Sequence, residues 1–402
     1  MIWKTVSLEE LTTKRAICYG VLKPGERQTD GVPLLRVKDI NQNVVDTSDI
    51  YEITEELSAE FKRSVLNGGE VLISVQGTVG RVALCPPEFK GANVSRTIAI
   101  IEPDERVNRS YLRYWLLSIT DKLPIRGATR ASLNIGDIRK LQIPLPPLPE
   151  QERIVAKLDA AFAEIDEAIE VASNKEKNAE KLFENYLSNI FQTNNQDWKS
   201  DNLENITSKI GSGATPRGGQ ASYKKDGISL IRSMNVHDMY FKYKNLAKID
   251  NEQASKLSNV TVQENDILLN ITGASVARCC LVERDVLPAR VNQHVLIIRV
   301  KIEIVIPKFI VYGLISKPYK DKLLTVGNSG GATRQAITKT QIEDFIFYYP
   351  KSKEEQNNLI TKLDSVYLHT QNLAEIYKKQ IKQHVQLKLA ILYQELQSSE
   401  AA

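Results

Sequence analysis

The fold of this chain is decided by the stretch L-P-P-L-P-E-Q-E-R-I-V-A-K-L-D, residues 145–159. Its prolines stiffen the backbone, because each proline ring fixes one backbone angle and removes one N–H donor. Directly after them, apolar side chains recur at the spacing of an amphipathic helix. The stretch therefore predicts a proline turn that leads straight into a long helix.

A weaker copy, Y-P-K-S-K-E-E-Q-N-N-L-I-T-K-L-D, occupies residues 349–364. The pair Glu150-Gln151 returns there as Glu355-Gln356, and the triplet at 157–159 returns at 362–364. Two related segments so far apart in one chain indicate an internal repeat. We predict that the molecule is built twice and that a helix ends each copy.

The repeat continues outside the helices. The matched segments are 3–11 with 198–206, 31–36 with 227–232, 70–77 with 266–273, 94–101 with 291–298, and 127–130 with 331–334. Short β-branched runs bounded by glycine and acidic residues predict strands, and segments 110–119 and 307–317 predict helices. Regular helical crossovers are lacking between the strands. Each half is therefore predicted to be a mixed α/β domain with a curved, mixed sheet.

The predicted helix that ends each copy of the repeat has its apolar residues at coiled-coil spacing. Apolar residues follow one another at alternating steps of four and three, and Gly and Pro are absent between 151 and 192. Such helices must pack on each other or on a partner, because one helix cannot bury its apolar stripe alone. The predicted seam consists of Ile154, Leu158, Phe162, Ile165, Ile169, Phe183, Tyr186 and Ile190 in the first helix, and Leu359, Leu363, Val366, Leu373, Tyr377, Leu387 and Ile391 in the second.

The predicted fold class is α+β, with two tandem mixed α/β domains that are each followed by a long helix. Because the second domain starts where the first helix ends, the two helices should form an antiparallel coiled coil with pseudo-two-fold symmetry. The predicted divisions are a first domain at 1–149, a central helix at 150–193, a second domain at 194–353, a C-terminal helix at 354–397 and a disordered tail at 398–402.

Composition places the chain among ordinary globular proteins, with 42% hydrophobic and 25% charged residues. No apolar run is long enough to span a membrane, and the N-terminus lacks the layout of a signal peptide, so we expect a cytoplasmic protein. The four cysteines have neither zinc-site spacing nor the density of a disulfide scaffold. Charge is uneven: residues 198–353 hold 23 Lys and Arg against 14 Asp and Glu, whereas residues 150–197 hold 5 against 11. This distribution favours a polyanion that meets the globular halves.

Catalytic motifs are missing from the sequence. The glycine-rich segment 211–219 lacks the lysine and the following helix of a phosphate-binding loop. Motifs of amino-methyltransferases and of nuclease carboxylate clusters are absent, and the four histidines lack metal-ligand spacing. We therefore expect no catalytic residue, no metal site and no cofactor.

Polar side chains at predicted strand ends form the binding hypothesis. Arg, Asn and Gln are the residues that make paired hydrogen bonds to guanine and adenine edges, and Arg beside glycine suits phosphates. The candidate DNA-binding residues are Arg36, Gln76, Thr78, Arg81, Arg96, Arg126 and Arg130 in the first half, and Arg232, Thr272, Arg278, Arg290, Asn292, Gln293 and Arg334 in the second. Strand cores repeat between the halves while polar positions differ, as two different half-sites would require.

With its I-P-L-P-P-L-P-E-Q motif at 143–151 and a degenerate second copy, the chain resembles the specificity subunits of type I restriction–modification systems. The resemblance covers the whole chain. It implies a non-catalytic subunit that binds double-stranded DNA, each domain reading one half of a split, asymmetric site and the helices setting the spacing. It also implies two methylation subunits docked on the helices and an ATP-driven restriction subunit in the larger complex. The family's base-contacting residues vary, so none is carried over to a particular position.

Two other classes of function stay open at the level of sequence. One is a DNA methyltransferase or nuclease that acts alone, which methyl transfer by the chain without partners would support. The other is a helical scaffold with two protein-binding domains. Salt-dependent binding to duplex DNA separates both DNA-binding classes from the scaffold.

Overall fold

The computed structural model describes residues 3–13, 17–41, 43–127, 131–192, 197–328 and 336–397. The chain divides into two compact units. The first comprises Met1–Ala172 with Lys379–Ala402, and the second comprises Ser173–Lys378. Each unit therefore holds one globular domain with parts of both long helices, and each is considered by itself below.

The first domain is built mainly from short strands. Its strands are β1 (Thr5–Ser7), β2 (Cys18–Tyr19), β3 (Val32–Leu35), β4 (Ile40–Asn41), β5 (Val44–Val45), β6 (Tyr51–Ile53), β7 (Val71–Ser74), β8 (Val82–Leu84), β9 (Asn93–Val94), β10 (Ile98–Ile101) and β11 (Gln142–Pro144). Its helices are α1 (Glu55–Glu60), α2 (Arg109–Ser118) and α3 (Ile135–Arg139), and α4 (Leu148–Gln192) follows. The main sheet has the order β2-β10-β7-β8, and a second sheet has the order β6-β3-β9 with β3 and β9 parallel.

The second domain repeats this plan. Its strands are β12 (Trp198–Asn202), β13 (Thr207–Ser212), β14 (Ile228–Ile231), β15 (Ala247–Ile249), β16 (Ile267–Asn270), β17 (Cys279–Leu281), β18 (Ala289–Val291), β19 (Val295–Val300) and β20 (Ile346–Pro350). Its helices are α5 (Leu203–Ile206), α6 (Asn251–Ser255), α7 (Pro307–Ile315), α8 (Lys317–Asn328) and α9 (Lys339–Glu343), and α10 (Lys353–Gln397) follows. The sheet orders β13-β19-β16-β17 and β15-β14-β18, the latter with β14 and β18 parallel, match those of the first domain.

A buried glutamine joins each domain to its long helix. Gln151 is fully buried; its Oε1 accepts from Asn108 N at 2.7 Å, and its Nε2 donates to the carbonyls of Arg106 and Pro146, both at 2.9 Å. Gln356 is equally buried and bonds Ile306 N at 2.9 Å, Ile304 O at 3.2 Å and Pro350 O at 2.9 Å. One amide thus satisfies three backbone groups at the start of each helix, which explains why the E-Q pair recurs.

The repeated K-L-D triplet has a similar explanation. Leu158 and Leu363 are fully buried in the cores of their own domains. The adjacent carboxylates, Asp159 and Asp364, accept hydrogen bonds from the hydroxyls of Tyr114 on α2 and Tyr312 on α7. Burial, and then the bond to the carboxylate, raises the pKa of both tyrosines, so their hydroxyls remain donors at neutral pH.

In the first unit, the end of α10 packs antiparallel on the start of α4. Ion pairs of 2.7 Å join Lys157 to Glu395 and Asp166 to Lys388. The residue numbers rise along α4 where they fall along α10, so the two helices are antiparallel. Leu392 and Leu396 of α10 are buried in the same core as Ile154 and Leu158. In the second unit, the Phe183 and Tyr367 rings meet edge to face with centroids 5.0 Å apart, and Glu176 approaches Lys378 at 3.9 Å, which is again antiparallel.

Near the middle of α10, the buried positions differ from those marked by large apolar residues. Thr370 and Ala374 are 2% exposed, whereas Leu373 is 39% and Leu387 47% exposed. At these two positions small side chains therefore fill the intrachain contact, and Leu373 and Leu387 face away from it.

The predicted pair of mixed domains with long following helices is present in the structure. The repeated segments 94–101 and 291–298 each contain parts of two strands, and one strand lies in each sheet. Residues 193–196 and the predicted tail at 398–402 lie outside the described residues. In the described part of the chain, no helix is long and apolar enough to cross a membrane.

Candidate nucleic-acid interface

A sharp turn in the first domain separates β9 in one sheet from β10 in the other. The turn consists of Ser95, Arg96 and Thr97, and the Ser95 and Thr97 hydroxyls bond each other at 2.7 Å. The neighbouring loops are tied to it: Arg96 N donates to Val21 O and Val75 N donates to Thr97 O, both at 2.8 Å. Leu133 N in turn donates to Val75 O at 2.9 Å. Loops from four distant parts of the domain therefore meet here, and we call residues 19–22, 76–78, 95–97, 125–127 and 131–132 edge one.

Edge one presents cationic and apolar side chains. Arg96 is exposed, and within the described residues its side chain has no hydrogen bond or ion pair. Arg126 is exposed and pairs with Asp137 at 3.0 Å, a surface contact that is worth little to stability and leaves most of the guanidinium accessible. Tyr19, Leu22 and Ile125 are exposed large apolar residues on the same edge. A cation among exposed rings and aliphatic groups suits contact with bases as well as phosphates.

The second domain has the corresponding turn at Asn292, Gln293 and His294, between β18 and β19. Gly213 N donates to Asn292 O at 3.2 Å, Ile271 N donates to His294 O at 3.0 Å, and Ile337 N donates to Ile271 O at 2.8 Å. The loops that meet here are the counterparts of those in the first domain. We call residues 213–217, 271–273, 292–294 and 336–337 edge two.

Edge two presents polar side chains that bond one another, together with the exposed side chain of Arg217. Thr272 Oγ1 lies 2.6 Å from His294 Nδ1, and Gln293 Nε2 lies 3.1 Å from His294 Nε2. Thr215 donates its hydroxyl hydrogen to Gln293 Oε1. Asn292 is buried and braces the turn by accepting from His294 N at 3.0 Å. The two edges share a backbone plan and differ in the chemistry that they expose.

A glycine without room for a side chain holds each edge together. A Cβ on Gly20 would lie 1.6 Å from Val94 O, and a Cβ on Gly213 would lie 1.8 Å from Val291 O. Both distances are far below van der Waals contact, so only glycine permits this close approach of the backbones. The two positions establish that Gly20 and Gly213 are equivalent, and hence that Leu22 corresponds to Thr215.

Several predicted DNA-binding residues lie in the body of the domains rather than at the edges. Arg36 and Arg232 each cap a short helical turn and lie over a tyrosine ring, and Arg36 also pairs with Asp39 at 3.3 Å. Arg81 donates to the carbonyls of Ile40 at 2.7 Å and Val37 at 3.2 Å. These arginines hold loops of the chain in place.

The other candidates also include residues that are bonded within their own domain and residues that lie at an edge. Arg290 donates to Ala254 O at 3.1 Å, and burial lowers its pKa. Arg278 is half-buried near His237, whose pKa is lowered by burial and then by the charge of Arg278. Gln76 and Thr78 lie at edge one, with Gln76 bridged to Ser132. Arg130 and Arg334 lie outside the described residues.

Sequence reasoning missed Thr215, His294 and the two close-approach glycines. In the sequence, the only observation on His294 was that the histidines lack metal-ligand spacing, and its partner Thr272 is 22 residues away. The signal that could have found it is the mismatch within the repeat, where Thr97 stands against His294. In the described part of the chain, no group of three or more His, Cys, Asp or Glu residues is placed to hold a metal ion.

The sequence profile described as "Type I restriction modification DNA specificity domain" matches this chain twice, over residues 2–175 and 195–383. The chain belongs to this family. Both matches include one edge each, together with the start of the long helix that follows. The resemblance inferred from the proline motif is thereby confirmed.

Individual relatives of this specificity-domain chain agree. The EcoBI specificity subunit of Escherichia coli is 28% identical over 210 residues, which cover 51% of this chain and 44% of that protein. A putative MjaX specificity subunit of Methanocaldococcus jannaschii is 23% identical over 419 residues, covering 97% and 92%. The match thus spans less than half of the first relative and nearly all of the second.

Solved structures show that the fold is shared. A chain from work described as "Structural basis underlying complex assembly and conformational transition of the type I R-M system" gives a TM-score of 0.75 at 19% identity, covering 99% of this chain and 98% of that one. The HsdS subunit from Thermoanaerobacter tengcongensis gives 0.54 at 19% identity, covering 99% and 97%. The domains and helices described above are therefore those of this family's fold.

Proposed function

We propose that this chain is the DNA-binding specificity subunit of a type I restriction–modification complex, and that each domain reads one half of a bipartite, asymmetric site. The observation that carries the proposal is the pair of equivalent edges with different exposed side chains. One scaffold used twice would give each reader the same approach to the duplex. Different polar groups on that scaffold would give each reader its own sequence.

The chemistry of the edges favours DNA as the ligand. Arg96 and Gln293 occupy equivalent turns, are exposed, and belong to the residue types that bond guanine and adenine through two hydrogen bonds. Arg126 adds an accessible cation beside Arg96 for the phosphate backbone. The excess of basic residues in the second domain supports the same partner.

The long helices are proposed to dock two methylation subunits and to set the spacer between the half-sites. Each helix spans 45 residues, so each is about 68 Å long at about 1.5 Å per residue. Leu368 and Leu182 in the second unit, 60% and 55% exposed, join Leu373 and Leu387 as apolar residues that intrachain packing leaves free for a partner. The adenine-methylating chemistry, and the ATP-driven cleavage of any restriction subunit, would belong to those partners.

The proposal is tested by the salt dependence of DNA binding. For the chain with its methylation subunit, we expect the logarithm of affinity to fall linearly with the logarithm of salt concentration, with a slope of about −0.9 per phosphate contact. Arg126→Ala should weaken binding to all duplexes alike and make the slope shallower by about 1. Arg27→Ala is the matched control, because Arg27 is another exposed arginine in an ion pair, to Asp49 at 2.7 Å, and is not among the residues of edge one.

A slope near zero in the unaltered complex would reject DNA as the partner and favour the protein scaffold. The stand-alone enzyme is tested separately, by supplying S-adenosylmethionine and duplex DNA to the purified chain. We expect methyl transfer only when the methylation subunit is added. Transfer by the chain alone would overturn the non-catalytic role.

A further inference from the structure

Four side chains at edge two form one continuous hydrogen-bonded chain. Its order is Thr215, Gln293, His294 and Thr272, and its contacts are those given above. They come from three separate loops, and Gln293 is the exposed member of the chain. With the Gln293 amide oxygen facing Thr215 and its nitrogen facing His294, each hydrogen bond in the chain has one direction.

The direction follows from the amide of Gln293. Its Oε1 can only accept, so the Thr215 hydroxyl must donate to it. Its Nε2 can only donate, so His294 Nε2 must be the acceptor, 3.1 Å away. The imidazole then carries its hydrogen on Nδ1 and donates it to Thr272 Oγ1 at 2.6 Å. In this orientation the amide of Gln293 is hydrogen-bonded at both of its ends.

This arrangement leaves a particular set of hydrogen-bonding groups free. An amide has two N–H donors and two lone pairs on its oxygen. One donor is used by His294 and one lone pair by Thr215, so one N–H and one lone pair remain on the exposed side chain. That remaining pair is what adenine requires in the major groove, where its N7 accepts and its N6 amino group donates.

We propose that Gln293 reads an adenine in the second half-site and that His294 is the residue that positions it. The inference rests on the proposed function, since it assumes that edge two meets DNA. His294 makes no base contact in this account. It acts by keeping the Gln293 amide from turning over, which would exchange the donor and the acceptor offered to the base.

The first domain lacks this device. Its equivalent positions are Leu22, Gln76, Arg96 and Thr97, and the Thr97 hydroxyl bonds Ser95 instead of the side chain at 96. Arginine needs no such support, because every hydrogen on its guanidinium is a donor and no orientation exchanges donor for acceptor. Arg96 therefore favours guanine through O6 and N7, and it serves as an independent comparison for edge two.

The experiment measures the affinity of the complex with its methylation subunit for duplexes that carry each possible substitution at every position of the site. Gln293→Ala should lose about 10- to 100-fold of discrimination at one A·T pair of the second half-site, and none in the first. His294→Asn keeps a donor near Nδ1 but lacks the acceptor at Nε2, so it should lose most of the same discrimination. His294→Gln places an oxygen near the Nε2 position and should retain it.

A merely structural role for His294 would weaken binding to every duplex and would not separate the Asn variant from the Gln variant. The inference is overturned if Gln293→Ala leaves selectivity unchanged at every A·T pair of the second half-site, or if the two His294 variants behave alike. Arg96→Ala distinguishes this failure from failure of the proposed function. Suppose that Arg96→Ala reduces discrimination at one base pair of the first half-site while Gln293→Ala changes discrimination at none. The proposed function is then supported, and only the role proposed for Gln293 is rejected.

Discussion

Replacing Gln151 by leucine is expected to lower the free energy of unfolding of the first unit by about 3 kcal/mol, because each buried backbone group left without a partner costs about 1–3 kcal/mol. The substitution removes three hydrogen bonds at once. It leaves Asn108 N, Arg106 O and Pro146 O without these hydrogen-bond partners. Gln356→Leu should have the same effect in the second unit, since its three bonds are equivalent.

The region that loses hydrogen-exchange protection tests this prediction as well as the size of the loss of stability does. Hydrogen exchange should show lost protection around the starts of α2 and α4 in Gln151→Leu and around the starts of α7 and α10 in Gln356→Leu. Glu152→Leu and Asn357→Leu are matched controls, because each exposed residue is the next one along its helix and should change stability by no more than about 0.5 kcal/mol. Equal effects of Gln151→Leu and Glu152→Leu would contradict the joint described here.

Inserting four helix-forming residues between Lys175 and Asn178 is expected to lengthen the spacer of the recognised site by about one base pair. Four residues complete slightly more than one turn, so the apolar stripe stays nearly in phase and the helix gains about 6 Å. That gain exceeds one base-pair rise of about 3.4 Å and is less than two, so it makes room for one further base pair. The position is favourable because Glu176 already interrupts the seam there, and its contact to Lys378 at 3.9 Å is long. The spacer is measured by sequencing methylated sites in a host that expresses the altered chain with its methylation subunit.

A two-residue insertion at the same place is the control. It rotates everything that follows by about 200°, which turns the buried side of the stripe toward solvent. Methylation should then be lost rather than shifted. If the four-residue insertion leaves the methylated site unchanged, the helices do not set the spacer.

The architecture could be predicted from sequence because its signals are local and appear twice. Proline followed by E-Q predicted the joint at Gln151, and the degenerate copy predicted Gln356 even though most of its prolines are gone. The joint's mechanism was not predictable, since the partners of Gln151 lie up to 45 residues away. In α10 the predicted seam residues Leu373 and Leu387 are exposed, whereas Thr370 and Ala374 are buried. Size alone does not reveal which side of a helix another helix covers.

The candidate interface was predictable in composition and less so in geometry. Arg96, Asn292 and Gln293 were predicted at strand ends, and the structure places them in the turns between β9 and β10 and between β18 and β19. Arg96 and Gln293 were recognised as candidates, but so were Arg81 and Arg290, which bond carbonyls of their own domain. Distinguishing them requires knowing where distant loops meet. The same holds for His294, whose role comes entirely from Thr272 and Gln293 beside it.

The central claim, that each domain reads its own half of one DNA site, is tested most directly by exchanging residues 1–149 for the first domain of another family member. The measurement is the map of methylated adenines in a host that expresses the exchanged chain with its methylation subunit. We predict that one half of the methylated sequence changes while the other half and the spacer remain as before. A change in both halves, or in neither, would contradict the account.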